Sequence, residues 1–145
     1  MAPGAVTADA LIAALQLAPH PEGGWYHQVW AAPAPPGGRS PWTVIHFLLR
    51  AGERSHWHRI DAEETWLYLA GAPLVLRRAA DASGPARAVT LGPSPSGEER
   101  LAIVAPHHWQ AAETTGDWSL VACTVTPGFL FDGFELAPPG FDVPA

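Results

Sequence analysis

Hydrophobic residues fall along this chain in two rhythms. Near the N-terminus Leu11, Ile12 and Leu15 follow a helical spacing, and Thr7 stands where a helix N-cap belongs. The pattern predicts one short helix, stopped by Pro19. From there the rhythm shortens. Runs rich in β-branched and aromatic residues over 25–31, 42–50, 55–59, 64–70, 73–78, 87–91, 101–105, 109–114 and 118–126 are separated by Pro-Gly and Gly clusters. Short strands recurring at roughly 8–12 residues with turn signals between them predict a β-sandwich or barrel. Segments 32–41, 81–86 and 92–99 read as loops, none long enough to link domains, and the proline-rich tail from Ala137 to Ala145 reads as an extended surface segment. With 145 residues the chain is expected to form a single domain over 1–145.

Composition narrows the function classes. Eight Arg and no Lys stand against 14 Asp and Glu, a formal charge of −6, so the basic footprint of a nucleic-acid or anionic-membrane binder is absent. Without Lys, neither Schiff-base chemistry nor a P-loop lysine is available. The one cysteine, Cys123, lies in the strand-like run Leu120 to Val125, which makes it a core thiol and excludes an internal disulfide. No basic, apolar leader pattern opens the chain, and the expectation is a cytoplasmic protein.

The densest polar cluster runs from Gly52 to Glu64. Residues two apart in a strand share a face, so His56 and His58 are expected to point together into a barrel interior. By the same parity Glu64 is in phase with them and Glu63 is not. Two imidazoles and a carboxylate are a natural ligand set for a divalent metal such as Fe, Mn, Ni or Zn; the alternative is that these groups hydrogen-bond one another without a metal. A second cluster is the turn Pro19-His20-Pro21-Glu22-Gly23-Gly24, where two prolines fix φ and two glycines permit close backbone approach. It holds His20 and Glu22 rigidly, either for a pocket or to satisfy backbone groups at the helix-to-strand junction. Arg59 stands ready to clamp a ligand carboxylate or phosphate, or to pair with Asp61 or Glu63. Trp25, Trp57, Trp66, Tyr68 and Trp109 lie in or beside these motifs and are expected to divide between an aromatic-lined cavity and the core. Phe129, Phe131, Phe134 and Phe141 read as packing residues or a dimer contact.

His56-Trp57-His58, Glu64 and Gly71 resemble the first motif of the cupin superfamily, with Gly52 two residues too close to the first His and Glu64 one too far from the second. The second motif is matched by Pro106-His107-His108-Trp109-Gln110-Ala111, with Ala111 at the usual ligand position. Leu17 to Tyr26, Thr43 to Leu49, Ser55-x-x-His58-Arg59, Glu64-x-Trp66, Trp109-Gln110-Ala111-Ala112 and Thr126 to Leu136 together resemble the fifth catalogued cupin family, long labelled a domain of unknown function. That resemblance implies an all-β, double-stranded β-helix jelly roll with a short N-terminal helix, commonly dimeric and similar in shape to the sugar-nucleotide epimerases. In that family Trp-Gln-Ala-Ala usually replaces the second-motif histidine, whereas His46 and His107-His108 depart from its common Tyr and Ala-Gly.

The expected function is therefore small-molecule binding, with metal-independent isomerisation or epimerisation of a sugar or keto acid. In it His58 or His20 takes a proton and Tyr68 or Tyr26 returns one, and no cofactor is needed. Glu22, Trp25, His46, Arg59, Glu64, Trp66, Trp109 and Gln110 are the candidate ligand contacts. The alternatives are a metal-dependent enzyme built on His56, His58 and Glu64, and a non-catalytic metabolite-binding module. The expected partners are a small-molecule ligand and a second copy in a homodimer.

Overall fold

The computed structural model describes residues 5–145. Helix α1 (Ala8–Ala14) starts at Thr7, whose hydroxyl accepts the Ala10 amide at 3.1 Å. It ends well before Pro19 because Gln16 takes a left-handed turn, φ 56°, which lets the Leu17 amide reach the Ile12 carbonyl. Its apolar stripe, Leu11, Ile12 and Leu15, packs on Leu48 and Leu120.

Eleven strands follow: β1 (Ala18–Pro19), β2 (Trp25–Ala31), β3 (Thr43–Arg50), β4 (Arg54–Ile60), β5 (Glu63–Gly71), β6 (Leu74–Ala79), β7 (Arg87–Leu91), β8 (Leu101–Val104), β9 (Trp109–Thr114), β10 (Trp118–Thr126) and β11 (Phe134–Leu136). They pair antiparallel into two sheets, ordered β1-β2-β3-β10-β5-β8 and β11-β4-β9-β6-β7. Apart from the consecutive runs β1-β2-β3 and β6-β7, sheet neighbours come from distant parts of the chain, which is the jelly-roll connectivity expected of a double-stranded β-helix. The nine strand runs legible in the sequence all form. Strands β1 and β11 were not expected, because two or three residues carry too little periodicity to register.

The main core fills the space between the sheets at one end of the barrel, with Phe47, Leu49, Trp66, Leu74, Leu76, Leu91 and Val121. A second cluster lies on the outer face of the second sheet and anchors the tail. There Trp57, Trp109 and Ala111 are covered by Ala137, Phe141 and Val143, and the Trp57 indole donates to Asp142 at 2.8 Å. The tail is extended along the surface, as expected, and is anchored there through Ala137, Phe141 and Val143. Among the described residues no helix is long and apolar enough to cross a membrane.

Candidate functional site

The other end of the barrel is open and holds a cavity of about 240 Å³. Its polar wall is His20, Glu22, Tyr26, Gln28, Thr43, His58 and Glu64; its apolar wall is Ile45, Ile60, Val125, Phe129, Phe131 and Phe134. The three phenylalanines arrive on the segment leading into β11, which pairs with β4 as an added edge strand and lays Phe134 over His58 at 5.6 Å. They belong to the cavity as well as to packing.

The turn between β1 and β2 places His20 and Glu22. Gly23 has φ 106°, and a Cβ there would run into the Arg54 carbonyl oxygen, so the close approach of the turn to β4 requires glycine. The His56 amide donates to the Glu22 carbonyl at 2.8 Å and locks the turn onto that strand. In consequence the Glu22 carboxyl is buried against three groups: the Ser55 hydroxyl donates to it, His20 Nδ1 lies 3.3 Å from one oxygen, and His58 Nε2 lies 3.5 Å from the other.

The hydrogen bonds fix the tautomers. His58 Nδ1 sits 2.8 Å from the His56 carbonyl, which can only accept, so Nδ1 carries the proton and Nε2 presents a lone pair. The Glu22 amide donates to His20 Nδ1 at 3.1 Å, so that nitrogen is also a lone pair and the His20 proton is on Nε2. Two imidazole lone pairs thus face one carboxyl group. A carboxylate there would meet no cation, whereas a protonated Glu22 faces the His58 Nε2 lone pair at 3.5 Å, the His20 lone pair being taken by the Glu22 amide.

The electrostatics agree with that assignment. Burial pushes the Glu22 carboxyl up to about 8, with the Ser55 hydrogen bond opposing weakly, and desolvation with the nearby His58 brings His20 down to about 4. Burial lowers His58 as well, and it raises Glu64 to about 7 despite the neighbouring His58 and the hydrogen bonds to Glu64. Near neutral pH the histidines of the cavity are neutral and Glu22 holds a proton.

Glu64 is positioned by a second chain of bonds. The Trp66 indole donates to Gln110 Oε1 at 2.7 Å, and the Gln110 amide donates to Glu64 at 2.9 Å. The parity choice of Glu64 over Glu63 agrees with this placement, since Glu64 is buried at the cavity and Glu63 is exposed.

Several expected site residues lie elsewhere. His56 and His58 do not share a face: the register against β9 slips between Ser55 and His58, and this bulge turns His56 outward, where Nε2 meets the Pro138 carbonyl at 3.0 Å. The set His56, His58, Glu64 therefore does not converge. Among the described residues no three His, Cys, Asp or Glu side chains come together in metal-ligand geometry. Tyr68 is a core residue whose hydroxyl donates to the Gly71 carbonyl at 2.7 Å, so of the two tyrosines only Tyr26 reaches the cavity. Trp25 packs near α1 and donates to Glu53, with Arg50 above its ring. His46 alternates with the inward Ile45 and Phe47 and lies on the outer side of its sheet. Arg59 pairs with Glu135 over the Trp109 ring, outside the barrel and away from the cavity, and does not pair with Asp61, which takes Arg39. Trp109 supports the tail, and Trp66 and Gln110 act one layer behind the cavity. It is Gln110, paired with His58 across the strands, that occupies the inward position of the second motif; Ala111 faces out.

Gln28, Thr43 and Ser55 were missed. Strand parity from Tyr26 would have found Gln28, but Ser55 needed knowledge of the bulge.

Residues 9–137 match the family described as Cupin superfamily (DUF985). A protein from Shewanella oneidensis shares 37% identity and superimposes with a TM-score of 0.85, over 92% of this chain and 85% of that one. A hypothetical protein from Leishmania major shares 32% identity at a TM-score of 0.82, over 94% of this chain and 90% of that one. Oxalate decarboxylase from Bacillus subtilis, at 13% identity, a TM-score of 0.61 and coverage of 81% and 29%, shares the fold alone. No curated protein matches the chain.

Proposed function

We infer that this chain, which belongs to the cupin superfamily in the family described as DUF985, binds a small neutral hydroxy-carbonyl compound in its barrel cavity and moves a proton on it. The observation that carries this reading is the Glu22 carboxyl held between the His20 and His58 lone pairs. A neutral acid beside a neutral imidazole base, both in a dry wall, is the pairing that proton transfer next to a carbonyl requires.

The volume and lining select the ligand class. At about 240 Å³ the cavity falls below the roughly 300–1,000 Å³ of drug-sized sites, which suits a molecule of about monosaccharide size. No Arg or Lys lines it, so a carboxylate or phosphate would enter without a counter-charge. This favours a sugar over a keto acid. The phenylalanine wall suits the C–H face of such a ring, while Gln28 and Thr43 offer hydrogen bonds.

In the step we propose, His58 Nε2 takes the proton from the carbon beside the carbonyl and becomes an imidazolium. Glu22 gives its proton to the carbonyl oxygen, and an enediol forms. For isomerisation His58 returns its proton to the adjacent carbon while the Glu22 carboxylate recovers one from the other hydroxyl. For epimerisation at the same carbon the Tyr26 hydroxyl delivers the proton from the opposite face while the Glu22 carboxylate takes its proton back from the oxygen it had protonated, and His58 passes its own proton back to Tyr26. His20 keeps the Glu22 carboxyl oriented.

The cupin fold also raises the question of a metal. Here only His58 offers an unengaged ring nitrogen; His20 Nδ1 receives an amide proton, Glu64 is capped by Gln110, and the second-motif position is glutamine. The donor set does not fit, and no step is routed through a metal.

The test is incubation of the protein with aldoses and ketoses in D₂O, followed by proton NMR of the substrate. Deuterium entering at the carbon beside the carbonyl, lost in His58→Gln, is the expected result. Binding without exchange would make the cavity a metabolite-binding module, and exchange abolished by a chelator would restore the metal reading.

A further inference from the structure

We propose that the groove at the far edge of the second sheet is a separate binding site for a small phosphate-like dianion. The groove has a volume of about 420 Å³ and is lined by Arg78, Arg87 and His108 together with Ala, Gly, Pro and the apolar Ile103 and Val104. No acidic side chain lines it, in a chain whose formal charge is −6.

Five of the eight arginines, Arg39, Arg50, Arg54, Arg59 and Arg77, have a carboxylate partner within 4.0 Å. Among the described residues Arg78, Arg87 and Arg100 have none, and Arg100 lies over the Tyr68 ring. The other two meet in this groove. They are directly opposite each other on β6 and β7, an arrangement in which like charges repel. An anion between them would turn that repulsion into attraction.

The site is partly built in advance. Arg78 is tethered by a 2.9 Å bond from Nη1 to the Ile103 carbonyl, which bridges the two sheets and leaves the rest of its guanidinium fork available. Arg87 is exposed at the rim and His108 is half-buried beside it. Two guanidinium groups carry two positive charges, which matches a phosphate dianion better than a single carboxylate. The site is distinct from the barrel cavity: the register row Arg87, Arg78, Gln110, His58 crosses the second sheet, and the Gln110–Glu64 bond stands between the two.

The experiment is calorimetric titration of the full chain with inorganic phosphate, glycerol phosphate and acetate at matched ionic strength, with backbone NMR shifts to locate binding. Phosphate is expected to bind and to shift Ile103, Val104 and His108. Arg87→Gln should weaken it at least fivefold. Arg54→Gln, at an arginine outside the groove, and Glu22→Gln should change it less than twofold. Tighter binding of the ester supports a phosphorylated small molecule as occupant, and equal binding supports the free ion. Absence of binding, acetate binding as tightly as phosphate, equal losses in Arg87→Gln and Arg54→Gln, or shifts centred on His20 and Glu22 would each overturn the proposal.

Discussion

His58 Nε2 lies 3.5 Å from a Glu22 carboxyl oxygen, and the two residues come from different elements, a strand of the second sheet and a glycine turn entering the first. Their meeting depends on the turn being pinned to β4. It also depends on His58 donating Nδ1–H to the His56 carbonyl, which aims the lone pair at the carboxyl.

The first prediction concerns pH. Glu22 rises from 4.5 in the unfolded chain to about 8, so the folded state holds the extra proton and loses stability as pH climbs between those values. Glu64, raised to about 7, acts in the same sense. His20, lowered from 6.5 to about 4, acts oppositely: its contribution is lost as pH falls below 6.5. The trends oppose each other up to pH 6.5, and above it only the carboxyl trend remains. Thermal melts should therefore show stability falling from pH 6.5 to 8. Glu22→Gln, which imitates the protonated acid, should flatten that fall and be the more stable protein at pH 9, by several degrees at about 2–4 °C per kcal/mol. A parallel fall in the variant would contradict the account.

The two histidines of the His-x-His motif should separate in function. His58→Gln is expected to abolish proton exchange on substrate, a loss of about 10²-fold or more for a general base. His56→Ala releases a contact with the tail at Pro138 and should leave exchange within about threefold, while costing under about 1 kcal/mol of stability as an exposed hydrogen bond. Equal losses in both would show that the bulge does not separate them.

Gln110→Leu tests the support of Glu64. The change leaves the Trp66 indole and the Glu64 carboxyl without their buried partner, at a cost of about 1–3 kcal/mol for each unsatisfied group. Denaturant unfolding should show the loss. The double variant Glu64→Leu with Gln110→Leu should recover part of it, and no recovery would mean that the two are not coupled.

Gly23→Ala should be among the most damaging changes of a single methyl group. The new Cβ meets the Arg54 carbonyl in a left-handed backbone, so the turn must move and take His20 and Glu22 with it. A melting temperature lowered together with lost ligand binding is expected; an unchanged thermal melt would contradict this reading of the turn.

Much of the fold was legible in the chain because the strand runs are long and well punctuated by glycine and proline. The cupin resemblance rested on ordered motifs, and residues 9–137 match the family. Glu64 was legible through parity, since no irregularity separates it from its strand neighbours. His56 was misread for the reason that parity succeeded elsewhere: a single bulge inverts every side chain beyond it, and nothing in Ser55-His56-Trp57-His58 announces one. Tyr68, Trp25 and Trp109 were misplaced because aromatic residues serve core and cavity alike. Glu22 was named, but its proton was not, because the carboxyl pKa is raised by a burial that only the folded chain creates.

The most direct test is the protonation of Glu22 itself. Infrared difference spectra of the protein against Glu22→Gln, recorded across pH 5 to 9, isolate the carbonyl stretch of a protonated carboxyl. The account predicts a band present at pH 6.5 and titrating away near pH 8 in the parent protein. A carboxylate signal throughout that range would leave Glu22 without a proton to give, and the proton-transfer reading of the cavity would fail with it.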